Sequence, residues 1–418
     1  MISKIKNTFH IIFIFFIILF LIQSNFLTIF LGSGSELFAD FKQPLLWLKC
    51  HSLGFDLLKE NLIDCGTDKL SEPLHYGYVF LSIPYNKTLD IFYNLYFPYI
   101  IIFTFIYLTV KIIDPKNIQE VILLYLVILN PSSMLLIQRL NLDSLIFIIA
   151  ILIVYNRIYL INWFLIIFLT FIKIFPIALF TNILIENRNR SVKKLFLIFF
   201  ILSLISFIYL YINKDFYIFM IENVGTNKSG YHFLFSLNSL PKIFKYIFNI
   251  NYQLLLFIIY SLFIFITIQF YKNINFTKSY FINEIYTFES RIFIVGGYLS
   301  LFIFLITSNW FYKEVFIILL IPFILRIKNE YKNQIFNILT YIFIFRYIFL
   351  FLYSYISVHD EITYIDGQRI FSNKFLLIIF IKSLFDFLLM SIISSFLLSK
   401  TKIYFLNITK KINTININ

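Results

Sequence analysis

The 418-residue chain is 60% hydrophobic and 21% aromatic, with 14% charged residues and a net charge of +13. Soluble domains run nearer to roughly 45–50% apolar and about 25% charged, so a water-solvated fold is excluded and lipid is the expected solvent. The basic residues gather in short segments between apolar runs (Lys111 and Lys116, Arg188 to Lys194, Arg326 to Lys332, Lys400 to Lys411), as in cytoplasmic loops, which removes nucleic acid as a partner.

Ile11 to Leu31 forms the first apolar run, after Lys4 and Lys6. It is longer than the apolar part of a signal peptide and no A-x-A-like site follows, so it reads as a retained span. Further spans are expected near 92–111, 118–138, 142–156, 195–213, 251–271, 291–308, 312–326, 334–357 and 376–399. Between Arg157 and Glu186 the pattern fits two short helices meeting at Lys173-Ile174-Phe175-Pro176, because Pro176 removes a helical N–H and disfavours helix just before it. Such a broken pair should line a cavity. It also returns the basic run ENRNRSVKK (186–194) to the cytoplasm.

The expected fold is an all-α, polytopic helical membrane protein, a single domain over 1–418 with about twelve membrane segments, counting the broken pair. With the N-terminus inside, 112–117, 157–160, 186–194, 272–290, 327–333 and the C-terminal tail are cytoplasmic. The loops 32–91, 139–141, 172–176, 214–250, 309–311 and 358–375 then lie outside. In the large first external loop, PLLWLKCHSLGFDLLKENL (44–62) puts Leu46, Cys50, Leu53 and Leu57 on one helical face, as in an interfacial helix that Gly54 weakens or divides. A second external loop occupies 214–250. Cys50 and Cys65 both lie in the first loop, on an oxidising side, and are expected to form a disulfide.

Ionisable residues beside hydrocarbon need a reason. Arg139, Asn141 and Asp143 sit between two apolar runs in QRLNLDSLIFI. The planar fork of Arg139 suits a phosphate, and a tight turn in which Asp143 caps the next helix while Arg139 snorkels accounts for them equally. Lys173, in FIKIFP, is open to the same two readings, phosphate contact or snorkelling. Asn309, Tyr312 and Lys313 open a short span in TSNWFYKEVF, where an aromatic belt with a flanking lysine also fits. The first loop supplies acids, Glu36, Asp40, Asp56, Asp64 and Asp68. Asp40, just beyond the first span, is placed to take a proton from an acceptor hydroxyl, or to be a solvated cap. His51, His75, His232 and His359 lack metal-ligand spacing, and no Walker A, dinucleotide loop or G-x-S-x-G elbow occurs.

The stretch NPSSMLLIQRLNLDSLIFIIAILIVY through FIKIFPIALFTNILIENRNR resembles polyprenol-phosphate-sugar-dependent glycosyltransferases of the GT-C superfamily, particularly family 87. The resemblance rests on Gln138, Arg139, Asn141 and Asp143, then Lys173 and Pro176, with Leu140 where the family often has glycine. SNWFYKEVFIILLIPF is similar to a later Asn-x-x-Tyr-Arg element, with Lys313 for the arginine, and Asp40 falls where the family keeps a first-loop acid. The resemblance implies an enzyme that takes one sugar from a polyprenyl-phosphate donor and gives it to a lipid or glycan acceptor, with no cofactor. Its site would face the non-cytoplasmic side of the cell (inner) membrane. Asp40 would be the base. Arg139, Lys173 and Lys313 would hold the donor phosphate, and Asn141, Asp143, Asn309 and Tyr312 would position the donor or acceptor. The alternatives are a transporter or flippase of a lipid-linked or anionic solute, which would use the same cations without chemistry, and a glycan polymerase or ligase. A transporter should carry inverted repeats, and the sequence shows none.

Overall fold

A computed structural model describes residues 2–23, 37–55, 57, 78–156, 158–173, 175–180, 200–201, 204–205, 207–215, 218, 234–273, 287–306, 309–331, 334–359, 363–365, 368–370 and 372–415. In chain order the first elements are α1 (Ile2–Gln23), α2 (Ala39–Ser52), α3 (Lys87–Ile113), α4 (Ile118–Leu129), α5 (Pro131–Arg139), α6 (Asp143–Tyr155) and α7 (Tyr159–Ile172). There follow β1 (Leu234–Phe235), α8 (Ser239–Phe248), α9 (Tyr252–Asn273), α10 (Phe288–Ile306) and β2 (Asn309–Trp310). The last are α11 (Ile321–Tyr331), α12 (Gln334–His359), β3 (Thr363–Ile365), β4 (Gln368–Ile370) and α13 (Asn373–Ile415). A ten-residue 3₁₀ helix, Phe311–Leu320, precedes α11. The strands form two short antiparallel ribbons, β1 with β2 and β3 with β4.

Among the described residues, six helical stretches are long and apolar enough to cross a membrane: Lys6–Gln23, Lys87–Ile113, Tyr252–Lys272, Phe288–Leu305, Phe336–Ile356 and Asn373–Thr401. Their burial explains the composition. On α1, Ile11, Ile14 and Ile18 are buried while Phe9, Phe13, Phe16 and Phe20 stand exposed, and α9 repeats the pattern with Leu255, Ile259 and Phe263 inside and Leu254, Phe257 and Phe265 outside. A helix apolar on both faces, one packed and one bare, is a helix solvated by lipid. The chain is a helical membrane protein.

The run 118–138, read from sequence as one span, is a bent pair, with α4 and α5 meeting at 43°. Pro131 forbids helix at Asn130, whose backbone is extended (ψ 156). The Asn130 side chain then caps α5 by accepting from the Ser133 N–H at 3.1 Å, with proline in the first helical position.

The chain divides into two compact units: Met1–Leu37, Ile102–Gln138 and Ser229–Asn418 form the first, and Phe38–Ile101 and Arg139–Lys228 the second. In the first unit, the segments expected in the cytoplasm meet at one end. Asn7 donates to Asp114, Lys328 to Gln119, Asn329 to Glu120 and Arg326 to Glu289, and Lys400 donates to Ser290. Segments expected outside meet at the other end. There β1 pairs with β2, and Ile243 of α8 packs on Tyr353 of α12 and on Phe375, Leu376 and Ile379 of α13.

In the second unit, α6 and α7 are joined by a turn that Asn162 closes, donating to the carbonyls of Ile153 and Asn156. Helix α7 stops at Ile172 and Lys173 is extended (φ −140, ψ 140), followed by a 3₁₀ turn, Phe175–Leu179. The expected break is therefore present, while the basic run 186–194 lies outside the described residues. Helix α2 begins earlier and ends sooner than the 44–62 pattern suggests. Gly54 (φ 90) stops it: the N–H of Phe55 reaches the Cys50 carbonyl at 3.1 Å and that of Gly54 reaches His51 at 3.0 Å, a Schellman ending. Its buried face is consequently Phe41, Pro44, Leu45, Trp47, Leu48 and Cys50, and Leu53 is 61% exposed.

Gly296 of α10 abuts the 3₁₀ helix, since a Cβ there would collide with the Leu319 Cβ and lie 3.2 Å from the Phe316 carbonyl oxygen. At Gly297 an added Cβ meets only the tip of the Leu397 side chain, at 3.0–3.1 Å. Gly296→Ala is expected to lower stability by about 1–3 kcal/mol, the usual range for overpacking, and Gly297→Ala by less. Thermal unfolding in detergent checks this, and equal melting temperatures for the two variants would mean that the close approach is not rigid.

Candidate functional site

The site is built in the second unit from three segments distant in sequence. The first is the start of α2, where Phe38 is left-handed (φ 62) and its carbonyl accepts from the N–H groups of Phe41 and Lys42. Asp40 follows in the first helical turn, where the helix dipole favours a carboxylate. Pro44 offers no N–H to the Asp40 carbonyl four residues back.

The second segment is the turn between α5 and α6. Leu140 is buried and left-handed (φ 47). This is the position at which the resembled pattern has glycine, and for a leucine the conformation costs about 1–2 kcal/mol, so the surrounding packing must impose it. The twist separates Arg139 from Asn141 and lets both reach Asp40. Arg139 donates from Nε (2.7 Å) and Nη2 (2.5 Å) to Oδ1 of Asp40, while Asn141 Nδ2 donates to Oδ2 at 2.9 Å.

The third segment is the break after α7. Lys173 Nζ donates to Asn141 Oδ1 at 2.8 Å and to Asp143 Oδ1 at 2.5 Å. Asn141 is thus the hub, giving its amide protons to one acid and its oxygen to the lysine beside the other. Asp143 does not cap α6. Its own N–H is accepted by Asn141 Oδ1 at 3.1 Å, and its carboxylate is spent on Lys173. Oδ2 of Asp143 is buried with no partner among the described residues.

The network is neutral, with two cations and two anions, and graded in depth. Side-chain exposure falls from 38% at Arg139 to 15% at Asp40, 14% at Lys173 and 0% at Asp143. The Arg139–Asp40 pair is open to an incoming anion, which would compete for the guanidinium. The Lys173–Asp143 pair is the buried anchor.

Five sequence-predicted residues, Asp40, Arg139, Asn141, Asp143 and Lys173, are therefore joined. The other three belong to the first unit. Asn309 lies in β2 opposite Phe235, while Tyr312 and the half-buried Lys313 lie in the 3₁₀ helix, and the side chains of Asn309 and Tyr312 are outside the described residues. Glu36, Asp56, Asp64, Asp68 and Cys65 also lie outside the described residues. Cys50 is fully buried, and no free thiol occurs among the described residues.

Sequence reasoning missed a second polar cluster, in the first unit. Arg346 Nη2 lies 2.5 Å from Glu314 Oε2 and its Nε 2.7 Å from Asp386 Oδ1. Lys382 Nζ lies 2.6 Å from Glu314 Oε1 and 3.0 Å from Asp386 Oδ2. All four side chains are at most 3% exposed. The signal was present as isolated charges inside the apolar runs 334–357 and 376–399, which in a membrane span mark pairing or function.

Removing one partner of a buried pair strands the other charge, at about 3–5 kcal/mol. Lys173→Met is therefore expected to destabilise the protein on that scale, and adding Asp143→Asn to recover most of it, as measured by denaturation in detergent. A double variant no better than the single would show that Asp143 does not depend on Lys173.

No family model matches the chain, and no curated protein and no solved structure matches it either.

Proposed function

We propose that the chain is a membrane glycosyltransferase that moves a single sugar from a polyprenyl-phosphate-linked donor to a lipid or glycan acceptor on the non-cytoplasmic side of the cell membrane. The observation that carries this reading is the joining of Asp40, Arg139, Asn141, Asp143 and Lys173 into one half-open network. Four of them stand in the stretch that resembles the GT-C enzymes, and Asp40 stands at the position of their first-loop acid.

In this reaction the acceptor oxygen attacks the anomeric carbon as Asp40 takes its proton. The bond from that carbon to the phosphate oxygen breaks, and the phosphate leaves with the electron pair. Arg139, once on the phosphate, and Lys173 stabilise the departing charge. Both Asp40 oxygens already hold partners, so the base works only after Arg139 is drawn away. The donor phosphate does this by taking the guanidinium for itself, and binding of donor thereby releases the base. Asn141 and Asp143 hold Lys173 in place. The resemblance also assigns donor recognition to Lys313, Asn309 and Tyr312. About twelve membrane segments and a Cys50–Cys65 bridge across the first loop complete the reading.

Asp40→Asn should leave polyprenyl-phosphate binding intact while turnover falls by about two orders of magnitude or more, the scale of a lost general base. Lys173→Gln should weaken donor binding as well. A panel of polyprenyl-phosphate sugars incubated with purified variants reads both. If every acid of the first loop can be neutralised without loss, the transferase mechanism fails and transport of an anionic solute becomes the better reading.

The sidedness is tested with a membrane-impermeant maleimide on intact cells. Lys42→Cys and Trp310→Cys should label at once, and Asn189→Cys only after permeabilisation. The native Cys50 and Cys65 should resist the reagent until a reductant is added. Labelling of Asn189→Cys from outside would break the paired-helix topology.

A further inference from the structure

The buried charges of the first unit form a closed ring. Each cation touches both acids and each acid touches both cations. Arg346 sits ten residues from either end of the Phe336–Ile356 stretch, roughly 15 Å from each by helical rise. Lys382 and Asp386 are one turn apart on α13. Glu314 is the member that is not on a long helix. It belongs to the 3₁₀ helix Phe311–Leu320, directly after Lys313.

A 3₁₀ run of ten residues is well beyond the usual three or four, because its hydrogen bonds are poorly aligned and its side chains eclipse. Something outside the segment must hold it. Two contacts do so. At Gly296 the missing Cβ admits the backbone of Phe316 and Leu319 against α10, and at Glu314 the ring ties the segment to α12 and α13. Upstream, Asn309 and Trp310 are pinned by the ladder to Phe235 and Leu234. The Asn309–Lys313 turn is thus fixed at both ends, by strand pairing before it and by the ring after it. Successive side chains in a 3₁₀ helix are about 120° apart, so burying Glu314 sets the face on which Lys313 stands.

We propose that the ring of Glu314, Arg346, Lys382 and Asp386 is a positioning device that acts through Glu314 to set the Asn309–Lys313 turn for binding the phosphate of a polyprenyl lipid. The choice of ligand rests on the transferase reading, whereas the positioning does not. Apolar residues of equal volume would hold the helices together as well, but they would not fix a register. The arginine fork does, because its two donors are rigidly spaced and meet two different carboxylates. Lysine in its place keeps the charge and loses that geometry.

The test uses the full chain in lipid nanodiscs, with two variants. Arg346→Lys keeps every charge, and the fully neutral Glu314→Gln/Arg346→Met/Lys382→Met/Asp386→Asn removes all four. Each is combined with Lys313→Cys to measure the rate of maleimide labelling at that position, and each is also tested with Lys313 intact for binding of undecaprenyl phosphate. Positioning predicts that the labelling rate changes tenfold or more in both variants while the melting temperature stays near that of the parent, and that the lipid phosphate binds at least tenfold more weakly. If labelling shifts and the affinity does not, the positioning stands and Lys313 is not the phosphate contact. If a folded Arg346→Lys labels at the parental rate, the ring serves only to neutralise buried charge and the proposal is overturned. Misfolding of both variants overturns it as well, since the ring is then a scaffold element.

Discussion

Arg346 lies mid-way along an apolar helix and is fully buried, and the ion pairs it makes with Glu314 and Asp386 are the condition on which its charge can stay there. Ionised groups at such depth persist only when each finds an opposite charge. With Lys382 added, the charges sum to zero and the ring closes. The arrangement demands that a 3₁₀ helix, α12 and α13 meet at one depth and one rotation. Packing between apolar surfaces would tolerate several such arrangements, and a charged ring tolerates one.

The second unit uses the same constraint differently. Its four charges are also balanced, but they form an open chain running from a buried lysine–aspartate pair to an arginine–aspartate pair near the surface. The buried end has to stay paired to remain in the protein at all. The outer end can trade one anion for another at little electrostatic cost, because solvent and the helix dipole both stabilise an Asp40 that has lost its arginine. A closed ring is suited to holding geometry and an open chain to exchanging a partner.

Much of this was legible in the sequence. Apolar runs gave the six stretches that are long enough to cross a membrane among the described residues, Pro176 gave the break at Lys173, and the basic segments and loops sort to opposite ends of the first unit. The polar turn at 139–143 stood out because it interrupts hydrocarbon-like sequence. Other features left weaker traces. The bend at Asn130–Pro131 was written in the dipeptide but masked by the apolar run around it, and the start of α2 at Ala39 was hidden because Asp40, Lys42 and Gln43 put polar residues ahead of the apolar pattern. The ring could not be paired from sequence at all. In lipid, core and outer faces are equally hydrophobic, so periodicity does not report how a helix is rotated, and rotation decides which charges meet.

Besides Gly54, two described residues of the second unit are left-handed, Phe38 two positions before Asp40 and Leu140 directly between Arg139 and Asn141. Neither is glycine or asparagine, so each holds a conformation its own side chain disfavours. Both side chains are buried, and burial is what over-determines the backbone there. Without the turn at Leu140, Arg139 and Asn141, two residues apart, would project about 200° apart from a helix, on nearly opposite sides, and could not both reach one carboxylate. The strain therefore converts two residues on either side of Leu140 into a clamp on Asp40, one member charged and exchangeable, the other neutral and tied through Lys173 to the buried anchor. An incoming phosphate that removes the first leaves the second, so the carboxylate is freed on one oxygen while its position is kept.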